Sequence, residues 1–281
     1  MLGAIIGDMV GSLYEFHPIK RKDFNIYDKR MRMTDDSLLT IAICKVLLNH
    51  YPFHLDESEI KNIQKELCEQ FFSTWRAHQG AGWGGRFFEW CVKASKGNME
   101  PYGSYGNGSA MRISSVAWLA KNEEEVKLLS NIVTEITHNH PEGLKGAEAV
   151  AIAIYLALHG ASKEEIRERM INDYYPEIAL LDYDDLVANY RFSEICQKSV
   201  PQAIFCFLES NSLEDAIRNC VGIGGDSDTN GAMAGAIAEA YYQKDKLSEF
   251  EDKFMYFLID PEVEKLIKML HYTINSKKFD R

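Results

Sequence analysis

The sequence predicts an all-α protein, and three observations lead to that prediction. Apolar residues recur at the i, i+3, i+4 spacing of amphipathic helices in six separate segments. Several of these segments begin with a Ser, Thr or Asp residue that can cap a helix. The sequence contains no convincing alternating strand pair and no βαβ pattern. Because no flexible linker divides the chain, we expect one domain over residues 1–281.

The helical segments are spread over most of the chain. In order they cover residues 37–50, 58–75, 123–137, 144–158, 162–172 and 212–223, and a small-residue run at 232–242 predicts a tightly packed helix. Glycine recurs at helical spacing, in Gly3, Gly7 and Gly11 and again in Gly231 and Gly235. Glycine inside a helix costs about 1 kcal/mol relative to alanine, so such series predict close helix contacts. We expect loops at 80–85 and 97–108 and a long connection at 174–192.

Composition and charge argue against several classes of function. The formal net charge of -11 disfavours binding to nucleic acid or to anionic membranes. The N-terminal residues lack the basic region of a signal peptide, and no apolar stretch approaches the ~18 residues of a membrane span. We therefore expect a cytoplasmic monomer without a nucleic-acid or membrane partner. The six scattered cysteines form no CxxC pair, which predicts reduced, buried thiols.

The segment GGDSDTNGAMAG, residues 224–235, is partly similar to an EF-hand calcium loop. Its first three ligand positions and its turn glycine are matched, by Asp226, Asp228, Asn230 and Gly231. The register then fails, because Ile237 occupies the position of the bidentate glutamate. Two carboxylates and Thr229 thus stand at a helix N-terminus, with too few ligands to hold a metal ion alone.

A second acidic helix start is MTDDSLLTIA, where Thr34, Asp35 and Asp36 precede an apolar helix. Taken alone, each start is explained more simply by capping, since such residues satisfy free amides and complement the helix dipole. Together the two starts supply four carboxylates and two hydroxyls, a hard-oxygen set that suits Mg²⁺ or Mn²⁺ and not zinc. Brought face to face, they could hold two ions about 3.5–4 Å apart.

Two further groups of residues could be taken for metal sites. Asp182, Asp184 and Asp185 have no glycine neighbours and no apolar helix after them, so we expect a solvated loop there. His138 and His140 are two residues apart and adjacent to Pro141, which favours a loop. For these histidines we expect hydrogen bonding or stacking rather than metal ligation.

Five short motifs carry a resemblance to a known family. In order they are GAIIGDMVGSLYEF, TDDS, YGNGSAMR, THNHPEG and GGDSDT, and they extend over nearly the whole chain. Each is weak alone, whereas five in order with compatible spacing make a specific signal. The sequence resembles the ADP-ribosylglycohydrolase family, the group that includes dinitrogenase reductase-activating glycohydrolase.

The resemblance implies a compact single-domain orthogonal helical bundle with a dinuclear Mg²⁺ or Mn²⁺ site in an ADP-ribose cleft. The implied reaction is hydrolysis at C1″ of the distal ribose, which releases ADP-ribose from a modified protein or a small conjugate. The implied metal ligands are Thr34, Asp35, Asp36, Asp226, Asp228 and Thr229. The implied substrate-binding residues are Asn107, Gly108, Ser109 and His138, and the implied catalytic residues are Glu15 and Asp36.

Some of these roles leave alternatives open. Glu15 would be a general base or proton shuttle, although without the resemblance a solvated loop glutamate is the simpler interpretation. The backbone amides of residues 107–109 would bind the pyrophosphate. Arg112 could add a charge there or form a structural salt bridge. The aromatic residues between 75 and 90 could include an adenine platform, but we expect most of them in the core.

The chain departs from the family pattern at three positions. Ser37 stands where threonine is frequent, and it keeps the hydroxyl. Asn230 and Gly231 stand where small apolar residues are common, which could alter the start of the helix.

Two hypotheses from other classes remain beside the enzyme. One is a non-catalytic ADP-ribose-binding or structural protein that kept the fold, which the intact metal motifs and Glu15 disfavour. The other is a Mg²⁺-dependent all-α enzyme acting on prenyl diphosphates. That class would want DDxxD on a helix, and neither acidic motif continues in this way.

Overall fold

In the computed structural model, residues 1–242, 249–257 and 260–277 are described, and these ranges contain α-helices and no strand. The α-helices are α1 Leu2–Gly11, α2 Asp35–Asn49, α3 Glu57–Ala77, α4 Gly85–Ala94, α5 Ser114–Leu119, α6 Glu123–Glu135, α7 Pro141–Leu158, α8 Lys163–Asp173, α9 Tyr183–Asn189, α10 Cys196–Leu208, α11 Leu213–Ile223, α12 Ser227–Tyr242, α13 Glu249–Phe257 and α14 Pro261–Lys277. Two short 3₁₀ helices cover Asn107–Ser109 and Pro176–Leu180. The all-α prediction is confirmed.

Helices α1 and α12 lie against each other in the centre of the fold. Every residue of α1 is buried, and α12 is buried from Ser227 to Ala240. A Cβ atom on Gly7 would lie 2.0 Å from the carbonyl oxygen of Gly231. The same approach recurs one turn earlier in α1, where a Cβ on Gly3 would lie 2.3 Å from the carbonyl oxygen of Gly235. The two glycine series therefore mark a backbone-to-backbone contact, as their spacing predicted.

The remaining helices surround this pair. Helix α12 also packs against α7, α10 and α11, while α2 packs against α1 and α3. One continuous hydrophobic core joins these layers, from Met1 at the N-cap of α1 to Leu270 in α14. The prediction of a single domain over 1–281 also includes residues 243–248, 258–259 and 278–281, which lie outside the described residues.

The prediction for the third acidic cluster was wrong in its secondary structure. Residues 174–192 contain a 3₁₀ helix and α9, where a long irregular connection was expected. Asp182 is the N-cap of α9, and its carboxylate accepts the amide hydrogen of Asp185 at 2.9 Å. Asp182, Asp184 and Asp185 are all exposed, as a solvated position requires. Their placement is explained by capping and the helix dipole.

Two further features of the helices are their buried cysteines and their hydropathy. All six cysteines are buried and unpaired with one another. Within the described part of the chain, none of the helices combines the length and apolar character needed to span a bilayer.

Candidate metal and ligand-binding cleft

One cleft collects side chains from distant parts of the sequence. It encloses about 320 Å³ and lies at the N-terminal ends of α2 and α12, next to the loop that carries residues 102–108. Nine of the eleven predicted site residues line it, namely Glu15, Asp35, Asp36, Asn107, Gly108, His138, Asp226, Asp228 and Thr229. The other two, Thr34 and Ser109, are buried directly behind lining residues.

The start of α2 is capped by Thr34 and also places two carboxylates in the cleft. Thr34 is the N-cap, and its hydroxyl accepts the amide hydrogen of Asp36 at 3.3 Å. The same hydroxyl lies 3.1 Å from Oδ2 of Asp36. Asp35 and Asp36 follow in the first turn, where the helix dipole favours negative charge. Capping and metal binding are therefore compatible at this start, because the cap bond leaves both Asp side chains in the cleft.

Asp8, in the middle of α1, holds the start of α2 in place. Its carboxylate accepts hydrogen bonds from the amide of Thr34 at 2.9 Å, the hydroxyl of Thr34 at 2.7 Å and the amide of Ser37 at 3.1 Å. The Ser37 hydroxyl also donates to it. The hydroxyl that Ser37 retains is thus used to bind Asp8. Sequence reasoning missed this residue, although a carboxylate inside an apolar, glycine-spaced helix was a visible signal.

The start of α12 follows a sharp reversal of the chain. Gly224 and Gly225 have φ angles of 70° and 79°, a region that side-chain-bearing residues rarely adopt. A Cβ on Gly225 would lie 2.4 Å from the ring of Tyr190, so this position also has no room for a side chain. Asp226 then precedes the helix and Asp228 lies in its first turn. Because helix α12 begins at Ser227, this segment is not an EF-hand loop.

The two acidic helix starts meet, together with Asp8 and Glu15. Carboxylate oxygens of Asp8, Asp36 and Asp228 lie within 4.8 Å of one another. Glu15, Asp226 and Asp228 form a second group with the same spacing, so Asp228 belongs to both. We call these five residues the acidic cluster. Its members come from α1, the segment after α1, and the starts of α2 and α12.

Burial and mutual repulsion raise the pKa values within the acidic cluster. Burial raises the pKa of Asp8 and of Asp226 to about 6. Burial, followed by the negative charge of Asp228, raises the pKa of Glu15 to about 8. The same two causes hold the pKa of Asp36 well above its ordinary value. So many buried carboxylates in one group need a positive charge from another source.

The acidic cluster fits a divalent cation. Oδ1 of Asp36 is buried and has no hydrogen-bond partner among the described residues. An acceptor oxygen left without a donor, in a group that offers only oxygen ligands, suits a hard ion such as Mg²⁺ or Mn²⁺.

A family model described as ADP-ribosylglycohydrolase matches residues 1–270 of the chain. The chain belongs to the ADP-ribosylglycohydrolase family. The ADP-ribosylhydrolase ARH3 of Mus musculus is 25% identical to it over 320 residues, which cover 89% of this chain and 84% of that protein. The ADP-ribosylarginine hydrolase Tri1 of Pseudomonas putida (strain GB-1) is 24% identical over 305 residues, covering 96% of this chain and 80% of Tri1.

The fold of this ADP-ribosylglycohydrolase-family chain is also found among solved structures. A chain of the ADP-ribosylglycohydrolase-related protein complex matches it with a TM-score of 0.68 and 20% sequence identity. The match covers 97% of this chain and 95% of the other. The architecture is therefore shared.

In this family member, the predicted substrate loop at 107–109 contributes in more than one way. The Asn107 amide donates to the carbonyl oxygen of Glu194 at 2.9 Å, so it is already engaged and is not free to bind a phosphate. Nδ2 of Asn107 donates to Oδ2 of Asp226 at 2.7 Å. The Ser109 hydroxyl donates to the carbonyl oxygen of Gly143 at 2.9 Å. The two side chains thus position Asp226 and the loop itself.

His138 and Arg112 are connected through Thr137. Nη2 of Arg112 donates to the Thr137 hydroxyl at 2.6 Å, and that oxygen lies 2.8 Å from Nδ1 of His138. The guanidinium of Arg112 also lies over the ring of Phe71, 4.6 Å from its centroid. Burial lowers the pKa of Arg112 to about 10 and holds the pKa of His138 well below its ordinary value. Among the described residues no ion pair is recorded for Arg112, and its recorded side-chain hydrogen bond goes to the Thr137 hydroxyl.

Aromatic side chains border the cleft on several sides. Of the aromatic residues between 75 and 90, Phe87 lines the cleft, whereas Trp90 is buried in the core. Phe16 and Phe192 are exposed and stack with ring centroids 6.2 Å apart. Phe192 lines the cleft together with three residues that sequence reasoning also missed, Arg86, Tyr102 and Glu194. No local pattern marks these positions, because only the packing of helices brings them to the cleft.

Proposed function

We propose that the protein is a hydrolase that cleaves the glycosidic bond at C1″ of ADP-ribose. Its substrate would be an ADP-ribosylated protein or a small ADP-ribose conjugate, and the product would be free ADP-ribose. Membership of the ADP-ribosylglycohydrolase family and the names of the relatives support this class of reaction.

The observation that carries the proposal is the convergence of the acidic cluster in one cleft. Its carboxylates are separated by up to 220 residues in the sequence, from Asp8 to Asp228, yet their oxygens approach within 4.8 Å. Such repulsion is costly in a buried position. Carboxylates are kept close together in a buried position where they bind a cation or take part in catalysis.

Two Mg²⁺ or Mn²⁺ ions fit the ligands available in this cleft. Thr34, Asp35 and Asp36 would bind from the start of α2, and Asp226, Asp228 and Thr229 from the start of α12. When bound, the ions would neutralise the carboxylates, orient the ribose hydroxyls and lower the pKa of an attacking water.

Glu15 is placed to move a proton during hydrolysis. It follows the last turn of α1, lines the cleft and belongs to the same group as Asp226 and Asp228. In the reaction the bond from C1″ to the leaving atom breaks, the leaving atom keeps the bonding electron pair and takes up a proton, and the oxygen of water joins C1″. Glu15 would accept the proton that this water releases, a role worth roughly 10²–10⁴ in rate. Positive charge that develops at C1″ is stabilised by the surrounding carboxylates.

The remainder of ADP-ribose needs hydrogen-bond donors, because the chain as a whole is acidic. The loop at 107–109 offers the amides of Gly108 and Ser109 to the pyrophosphate. His138 would add a side-chain donor in the same cleft, and Arg112 would add a positive charge. These groups would bind the ligand, while the acidic cluster would act at the distal ribose.

Release of ADP-ribose from a panel of defined conjugates tests the proposal. The panel contains arginine-linked, serine-linked and O-acetyl-ADP-ribose, assayed with Mg²⁺ or Mn²⁺ and again after dialysis against EDTA. We expect release from at least one conjugate, loss of release in EDTA and recovery when the metal is returned. Release that continues in metal-free protein would refute the dinuclear mechanism.

Two Asp→Asn variants, each of which removes one negative charge, serve as a matched pair in the same assay. Asp228→Asn removes a carboxylate of the acidic cluster, and Asp184→Asn removes an exposed one at the start of α9. Only Asp228→Asn should abolish release. A protein that binds ADP-ribose but releases none from any conjugate would instead support the non-catalytic alternative.

A further inference from the structure

The contacts between Arg112, Thr137 and His138 concern the protonation of the histidine ring as well as its position. Arginine is always a donor, so in its bond with Thr137 the threonine oxygen accepts. A threonine hydroxyl has one hydrogen to give. Among the described residues, Nδ1 of His138, at 2.8 Å, is the recorded neighbour of that hydroxyl that can accept its hydrogen. When the hydroxyl hydrogen is used in this contact, Nδ1 is the unprotonated nitrogen of the ring.

The charge of Arg112 excludes the doubly protonated ring. Both groups are buried, and Arg112 is 1% exposed. A histidinium one hydroxyl away from a guanidinium would place two positive charges in the same dry region. A neutral ring whose Nδ1 accepts must carry its proton on Nε2.

Nε2 of His138 faces the loop that borders the cleft. It lies 3.5 Å from the position that a Cβ on Gly108 would take and 3.6 Å from the corresponding position at Gly106. No hydrogen bond from Nε2 to protein is recorded within the described residues. The glycines leave the space in front of this nitrogen open, so its hydrogen is available to a ligand acceptor held against the loop.

We infer that Arg112 and Thr137 are positioning residues that hold His138 as a neutral Nε2–H donor, aimed at an acceptor oxygen of the bound ligand. The Thr137 hydroxyl accepts a hydrogen bond from the guanidinium and donates one to Nδ1, and no proton is transferred. A hydroxyl that accepts from a cation is also a stronger donor, so the arrangement is cooperative. Neither residue needs to touch the ligand. The identity of that ligand as ADP-ribose rests on the proposed function, whereas the tautomer does not.

The tautomer is measured directly by two-bond ¹H–¹⁵N correlation spectra of the protein of residues 1–281 with ¹⁵N-labelled histidine. The signals of His138 are assigned as those that are missing from the spectrum of His138→Gln. We expect wild-type His138 to show a protonated Nε2 and an unprotonated Nδ1 between pH 5 and pH 8. Detection of the proton on Nδ1, or of a histidinium at pH 7, overturns the inference without reference to any ligand.

Two substitutions at Thr137 separate the hydroxyl from the shape of the side chain. Thr137→Ser keeps the donor and should retain the wild-type tautomer. Thr137→Val removes it and should give a mixture of tautomers or the Nδ1–H form. An unchanged tautomer in Thr137→Val shows that Thr137 does not position the ring. Because the wild-type spectrum is informative alone, the inference is tested even when Thr137→Val does not fold.

Calorimetry with ADP-ribose connects the tautomer to binding. Thr137→Val should bind about tenfold more weakly than wild type, the effect of one lost hydrogen bond, while Thr137→Ser should stay within about twofold. Equal affinities in the two variants refute the positioning role in ligand binding. If the wild-type protein has the expected tautomer but binds no ADP-ribose, the proposed function fails and the assignment of the tautomer stands.

Discussion

Asp8 and Glu15 are separated by seven residues, yet they have different environments and different expected roles. Asp8 is fully buried and accepts four hydrogen bonds from Thr34 and Ser37, so its carboxylate is held in one orientation. Glu15 is partly exposed and lines the cleft. A held carboxylate organises a site, whereas one with access to the cleft can exchange a proton. At the scale of single residues, the number of hydrogen bonds that each carboxylate accepts distinguishes Asp8 from Glu15.

Glu15→Gln is expected to separate binding from chemistry. Glutamine preserves the size of the side chain but cannot accept a proton, so turnover should fall roughly 10²-fold or more. ADP-ribose affinity and thermal stability should hardly change. Calorimetry and single-turnover hydrolysis on one preparation measure both. Turnover near the wild-type value with intact binding would assign the base to another carboxylate of the acidic cluster.

Asp36→Asn and Asp228→Asn are expected to weaken metal binding to a similar extent. Each removes a negative ligand from the acidic cluster, although the two residues lie in different helices. Calorimetric titration with Mn²⁺ should show at least a tenfold loss of affinity in both variants. Asp184→Asn, which removes an exposed carboxylate that does not line the cleft, should titrate like wild type. Loss in only one of the two variants would mean that the motifs do not form one site.

Helices α1 and α12 bring the acidic residues together through glycine. Gly11 of α1 would place a Cβ 2.2 Å from the carbonyl oxygen of Ser227, directly beside Asp228. The three contacts at Gly3, Gly7 and Gly11 run along the whole of α1 towards the cleft. The same close approach that stabilises the helix pair thus sets the distance between Asp8 and the start of α12.

Gly7→Ala is expected to destabilise the protein although alanine is the better helix former. Helix propensity favours alanine by about 1 kcal/mol, but the new Cβ meets backbone that cannot yield without moving a helix. We expect the free energy of unfolding to fall by about 2 kcal/mol or more. Urea denaturation measures this change. Gly80→Ala, which has open space around it, should stay within about 0.5 kcal/mol of wild type.

Ile237→Ala tests whether α12, whose start is partly similar in sequence to a calcium loop, uses Ile237 for packing only. Ile237 is fully buried in α12, so its truncation should cost about 2–5 kcal/mol of unfolding free energy. The affinity for Mn²⁺ should stay near the wild-type value, because no ligand is removed. A large loss of metal affinity in protein that is still folded would contradict this separation of roles.

For the whole molecule, the repulsion within the acidic cluster links stability to pH and to metal. The pKa values of Asp8 and Asp226 are raised to about 6 and that of Glu15 to about 8, so the folded protein binds more protons than the unfolded chain. The penalty that these groups place on stability is therefore absent at and below their unfolded pKa values and grows as pH rises through the folded ones. Bound divalent ions remove this penalty, since they neutralise the same carboxylates.

The melting temperature of EDTA-treated protein should accordingly fall between about pH 5 and about pH 8. Saturating Mg²⁺ or Mn²⁺ should raise it at both pH values, and by more at pH 8. Comparing the same preparation with and without metal cancels contributions from other groups, such as the His50 pairs with Glu59 and Glu66. An equal increase at pH 5 and pH 8 would show that the cluster is not the origin of the pH dependence.

The amino-acid sequence by itself determined the helical class, the close helix contacts and the two acidic helix starts. Each depends on residues within one or two turns of one another, through apolar periodicity, the missing Cβ of glycine, and capping. Asp182 shows the limit of this approach. Its cluster contains the same residue types as the cleft, and the sequence did not reveal that it caps a helix on the surface.

Only the tertiary structure decided which of these residues meet. The bond from Asn107 to Asp226 spans 119 residues, and the one from Thr34 to Asp8 joins two different helices. Arg112 and His138 come together through Thr137 because α3, the 107–112 segment and the end of α6 pack side by side. Such contacts arise from the packing of helix on helix, whose angles and offsets depend on the whole core. Local periodicity therefore predicts the helices, and long-range packing decides what the acidic cluster and His138 can do.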